Sequence, residues 1–115
     1  MSLQAIKVSP DGTHTVIDFA EGEDSFLSTA LDGGYVEPLR FTHQDSTVIA
    51  WMDEEGMLKK LPANPAATTI VEALTHHKLN APLVGTVVFT GDNPPHIGGL
   101  PEDAHQEILA ILNAQ

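Results

Sequence analysis

The sequence predicts an α+β domain, with a mostly antiparallel or mixed sheet of about five to six strands and three helices packed on it. Three observations lead there. Turn residues punctuate the chain at short intervals, as at Pro10-Asp11-Gly12 and Asp53-Glu54-Glu55-Gly56, and short links favour hairpins over crossovers. Apolar residues recur at helical spacing in two stretches, opened by Asn64-Pro65 and by Pro101-Glu102-Asp103. Runs rich in β-branched and aromatic residues lie between, the strongest being Leu83 to Phe89. A chain of 115 residues suits a single domain over residues 1–115, long enough for one core without staples.

Leu3 to Val8 reads as a strand and His14 to Phe19 as its return, joined by Pro10-Asp11-Gly12, where Pro sets φ and Gly accepts a positive one. Residues 23 to 31 read as a short helix with acids in its first turn, where the helix dipole favours them. Its core face is Leu27, Ala30 and Leu31, and Gly33-Gly34 is the expected stop. Tyr35 to Phe41 is the next strand. Pro38 cannot donate to a ladder, which puts this strand at an edge or gives it a bulge. Thr47 to Met52 is apolar on both faces, with Val48 and Met52 on one and Ile49 and Trp51 on the other, as suits a central strand.

Gly56 is then expected in the left-handed region of a turn, with 57 to 61 returning as a short strand. Asn64 is the expected N-cap and Pro65 the first residue of a helix whose face is Ala67, Ile70, Val71 and Leu74. His76, His77 and Lys78 are expected in its last turn. The strand at 83 to 89 is expected to be central, with Gly85 marking a bulge or a close backbone approach. Residues 90 to 100 read as a loop rich in Gly and Pro. The last helix carries Ala104, Ile108, Ile111 and Leu112 toward the core. The expected order is β-β-α-β-β-β-α-β-α, with the helices on one face.

Composition narrows the function classes. The chain has no cysteine, which excludes disulfides and thiolate metal sites and fits a reducing cytoplasm. No apolar run approaches the ~20 residues of a membrane span, and no secretory leader is expected. Sixteen acids against 5 bases give a net charge of −11. Five scattered cations make no basic face, which argues against direct nucleic-acid binding. The same charge suits solubility, a basic protein partner, or imitation of DNA.

Three segments, "GGYVEPLRF", "WMDEEGMLKKLPANPAAT" and "LVGTVVFTG", resemble the domain-of-unknown-function family 3846, small proteins of phages, plasmids and bacteria. The family pattern has a Gly-Gly pair before an aromatic or aliphatic residue and Glu, a turn like "NEEG", then "LPxNxxAT", then an apolar strand with glycine. Asp53 stands here where the pattern often has Asn. The resemblance covers Leu27 to Gly91 and implies a fold group, with no activity, cofactor or catalytic residue attached.

Four residues are candidates for ligand binding: Glu37, Asn64, Asp92 and His96. By strand alternation Glu37 faces the same way as Tyr35, Leu39 and Phe41. A carboxylate on an apolar face is costly unless paired, so Glu37 either meets a ligand or accepts hydrogen bonds that lock the fold. Asn64 is chiefly a helix start. The loop at 91 to 99 is long and chemically mixed, and Asp92 and His96 could contact a ligand from it. The acids of 53 to 55 could hold a cation through oxygen, but match no calcium loop. The histidines form no H-x-x-x-H or H-E-x-x-H, and no serine sits in G-x-S-x-G, so no metal or catalytic set is expected.

The expected function is that of a non-enzymatic, cytoplasmic accessory domain, without cofactor, that binds a basic protein partner or a small ligand. Two alternatives stand beside it. One is an enzyme on a small polar substrate, with Glu37 as acid/base and the 91 to 99 loop as lid. The other is an acidic DNA mimic of phage type. Pro38 blunts one sheet edge against self-association and says nothing of the other.

Overall fold

A computed structural model describes residues 3–31 and 35–115. The elements are β1 (Leu3–Val8), β2 (His14–Phe19), α1 (Phe26–Ala30), β3 (Val36–His43), β4 (Ser46–Asp53), α2 (Pro65–Thr75), β5 (Val87–Asn93), β6 (His96–Gly98) and α3 (Glu102–Asn113). All strand pairs are antiparallel, in the order β2-β1-β5-β4-β3, with β6 on β5. The α+β expectation holds, and β4 and β5 are central as expected, β4 from its two apolar faces and β5 from its run of strand-forming residues. Among the described residues, no helix is long and apolar enough to cross a membrane.

Both faces of the sheet are covered. On one, α2 and α3 bury Ile6, Val8, Val48, Ala50, Val87 and Phe89 under Ile70, Val71, Leu74, Ala104 and Ile108. On the other, α1 sets Leu27 and Ala30, with Leu31 beside it, over Ala5, Phe19, Val88 and Ile97. This corrects the expectation of helices on one face. The physical reason is the adjacent residues Ala5-Ile6, Ile49-Ala50 and Val87-Val88-Phe89, all at most 1% exposed. Strands apolar on both sides need a cover on both.

Hairpin chemistry sets the register. Ser9 O accepts from Gly12 N at 2.9 Å and Ser9 N donates to Thr13 O at 2.9 Å, with Gly12 at φ 91 as the turn requires. Asp11 Oδ1 accepts from the Thr13 hydroxyl and amide, which together hold its carboxyl below the usual value. The β3–β4 link is two residues, Gln44 and Asp45, at φ 53 and 65, the geometry whose twist matches the strands. His43 and Ser46 are thus a hydrogen-bonded pair. Counting in twos puts the missing N–H of Pro38 on the outer side of β3, an edge without a bulge.

Five elements differ from expectation, one of them α2, which stops at Thr75 and leaves His76, His77 and Lys78 beyond its last turn. Residues 54–60 form successive turns instead of a strand, with Lys59 N on Glu55 O at 2.9 Å and Lys60 N on Met57 O at 3.2 Å. Met57 and Leu58 stay 74% and 81% exposed, so burial gives no reason to extend them. Lys60, at φ 56, takes the left-handed position expected of Gly56. Gly56 is instead packed, since a Cβ there would lie 2.9 Å from Val84 Cγ2.

The fifth strand begins at Val87 because Gly85, at φ 73, breaks the run after a single bridge of Val84 with Ala63. Gly85 also meets the Leu61 side chain where a Cβ would sit, so the close approach is real. The expected loop contains a hairpin, with Asp92 opposite Ile97 and Asn93 opposite His96 around a cis Pro94–Pro95 bond. Helix α1 is shorter than read, and the acids expected in its first turn lie in the turns before it. The expected stop at Gly33-Gly34 lies outside the described residues.

Candidate functional site

A cleft of about 450 Å³ opens on the α1 face, between the start of α1 and the β5–β6 hairpin. The pocket at Asp53 and Lys59 is smaller, about 290 Å³. Sheet register builds the floor of the larger cleft. Trp51 pairs across to Pro38 and Val88, and Ile49 pairs across to Arg40 and Thr90. Side chains two apart share a face, so Arg40, Trp51 and Asp92 rise on the same side from three adjacent strands. Arg40 and Asp92 stand on the strands either side of β4, Arg40 level with Ile49 and Asp92 two residues further along, away from Trp51, which puts them about 12 Å apart at the backbone.

The indole is fixed from below. Trp51 Nε1 donates to Thr90 Oγ1 at 2.8 Å, and the fully buried Thr90 hydroxyl donates to Gly91 O at 2.9 Å. With its N–H committed, the ring offers its π-face and apolar edge. The wall opposite comes from the turn before α1. Asp24 Oδ1 accepts from Ile97 N at 3.4 Å, and its Oδ2 stands 3.8 Å from His96 Nδ1. Both groups remain more than 40% exposed. The stacked rings of Phe19 and Phe26, 4.5 Å between centroids, hold α1 against the sheet beside this wall.

Asp92 and His96, read as loop chemistry, therefore meet in one cleft. The sequence reading missed Asp24, Arg40 and Trp51. Nothing local marks them, because strand pairing and the α1 approach bring them together over long separations.

Glu37 stands elsewhere. Alternation does put it on the face of Leu39 and Phe41, which pack under α2 and α3. It lies past the covered area, is exposed, and pairs across to Met52 without a bulge. The burial cost that singled it out does not arise. It does not line the cleft with His96, so an acid/base pairing of these two has no common site.

Asn64 is fully buried and its side chain is spent on the backbone. Oδ1 accepts from Ala67 N at 3.0 Å, while Nδ2 donates to Val8 O at 3.0 Å and Gly85 O at 2.8 Å. The acidic turn is likewise internally bonded. Asp53 Oδ2 takes Lys59 Nζ at 2.7 Å and Oδ1 takes Glu55 N at 2.8 Å, so the Lys59 contact first and the amide second hold this carboxyl below its usual value. Among the described residues, no three His, Asp or Glu side chains are grouped to hold a metal ion.

The family model of a domain of unknown function, number 3846, matches residues 3–113 of the chain. No curated protein and no solved structure matches it.

Proposed function

The chain belongs to the domain-of-unknown-function family 3846, and from that premise we propose that it is a non-enzymatic binding domain whose α1-face cleft takes a small ligand with a cationic group. The observation that carries this is that two carboxylates, Asp24 and Asp92, line one cleft with the fixed indole of Trp51. A cation over an indole and beside carboxylates gains from the ring quadrupole and from charge together. Arg40, on the β3 side of the same cleft, suits an acceptor or carboxylate at the other end of the ligand. A lysine or arginine side chain of a basic partner protein presents the same cationic chemistry. With no cysteine to oxidise, the domain suits the cytoplasm, as an accessory protein of phage type.

Trp51 is the single tryptophan of the chain, so its emission reports on the cleft directly. Titration with agmatine and with arginine should shift or quench that emission saturably. Asp24→Asn and Asp92→Asn should each weaken the response about tenfold, as loss of a charged hydrogen bond implies. Unchanged emission up to millimolar ligand, or a response indifferent to both substitutions, refutes the reading.

A further inference from the structure

The two sheet edges are built differently. On β3 the outer side carries the N–H gap of Pro38 and the charge of Arg40, devices that discourage pairing. On β2 there is no proline, lysine or arginine, and the register with β1 runs unbroken from Leu3–Phe19 to Val8–His14. Among the described residues β2 has β1 as its sole strand neighbour.

Which backbone groups of β2 point outward follows from the hairpin. Ser9 and Thr13 are hydrogen-bonded to each other, so by the two-residue period Thr15, Ile17 and Phe19 bond toward β1. The N–H and C=O groups of His14, Val16 and Asp18 face away. The side chains of these three share one face of the sheet, opposite Val8, Ile6 and Gln4. Val16 is 37% exposed, among the large apolar residues the fold leaves uncovered. Asp18 Oδ1 accepts from Gln4 Nε2 at 3.0 Å, which holds its carboxylate in place.

This strand is complementary to itself. Laid antiparallel on a second copy about Val16, it sets Val16 opposite Val16, His14 opposite Asp18, and Asp18 opposite His14. These are the three positions whose backbone groups are outward, so each pair exchanges both of its hydrogen bonds, roughly six in all. An apolar contact on the two-fold axis is then flanked by two imidazole–carboxylate pairs. Shifting the register by two residues in either direction breaks the His–Asp pairing, and shifting by one inverts the side-chain faces.

We propose that β2 is an isologous self-association edge, on which a second copy of the chain pairs antiparallel about Val16 to continue the sheet across a two-fold axis. The occupant is a second copy because the charge pattern of the strand matches itself. The net charge of −11 per copy opposes association at low salt and is screened beyond about 8 Å at 0.15 M.

Sedimentation equilibrium of the full chain at physiological salt, from micromolar to millimolar protein, should show a monomer–dimer equilibrium. His14→Asp sets carboxylate against carboxylate at both ends of the interface, and Asp18→His sets imidazole against imidazole. Each should weaken the dimer about tenfold. The double swap His14→Asp with Asp18→His should restore it to within about threefold, a rescue that this register in particular requires. Val16→Pro removes an outward donor without touching the β1 ladder and should abolish the dimer while the circular dichroism of the monomer is kept. In the wild type, the Val16 amide should gain exchange protection as concentration rises. A chain that is monomeric throughout, a dimer indifferent to the single substitutions, or a double swap no tighter than either single variant overturns the proposal.

Discussion

Asn64 shows how far one residue can be read. Its identity before Pro65, ahead of a helical period, marks a cap, and the cap is there. What the sequence does not carry is its second task. Val8 O and Gly85 O come from β1 and from the segment before β5, and both take the amide protons of this one side chain. Asn64→Ala should therefore cost more than the ~1 kcal/mol of an exposed cap. Two buried carbonyls lose their donor as well, and the total should be about 2–4 kcal/mol in urea unfolding. A loss near 1 kcal/mol would mean that water replaces the amide. Glu37 is the converse case. Alternation names its face correctly, but burial depends on how far α2 and α3 reach along β3, which local sequence does not encode. His43 carries no local signal for the same reason. It is only 7% exposed, with Nε2 2.8 Å from Glu107 Oε2, a contact between β3 and α3 made by tertiary approach alone.

At the scale of elements, what was legible had a local cause. The β1–β2 turn, the start of α2 and the core stripe of α3 follow from residues that act on their own neighbours. What was lost had a cause elsewhere in the chain. The extended reading of 57 to 61 fails because no strand is placed beside it, and β6 exists because β5 extends past β1 and leaves its upper half open to pairing. The end of α2 also departs from the helical reading. The helix stops at Thr75 and His76 turns left-handed at φ 61, so His76, His77 and Lys78 lie beyond the last turn. A residue with a Cβ is strained there. His76→Gly should stabilise the domain by about 0.5–1 kcal/mol, read as a rise in Tm of a few degrees. A fall would show that the exposed imidazole makes contacts worth more than the strain. The cleft divides in the same way. Asp92 and His96 lie two residues before and one residue after Pro94-Pro95, in a stretch whose Gly and Pro mark it as a loop, whereas Arg40 and Trp51 are recruited by register.

On the scale of the whole molecule the two layers over the sheet are unequal. Helices of 11 and 12 residues cover one face and a helix of 5 covers the other. A helix so short has little stability of its own, and α1 lacks a side-chain cap. It stays in place through Leu27, Ala30 and the Phe19–Phe26 stack. Hydrogen exchange should therefore open α1 by local fluctuation, orders of magnitude faster than Val87, Val88 and Phe89 of β5, which should follow global unfolding. Equal protection in α1 and β5 would contradict an uneven domain. The cleft lies against this weaker layer, so ligand should slow exchange there first.

The arrangement around β5 has a consequence for how the chain is made. The hairpin of β1 and β2 and the hairpin of β3 and β4 do not touch edge to edge, and β5 is the keystone between them. Until residues 87–93 emerge, a growing polypeptide holds two detached ribbons and a helix with nothing to cover. Assembly is thus deferred until β5 is made and then becomes nearly all-or-none.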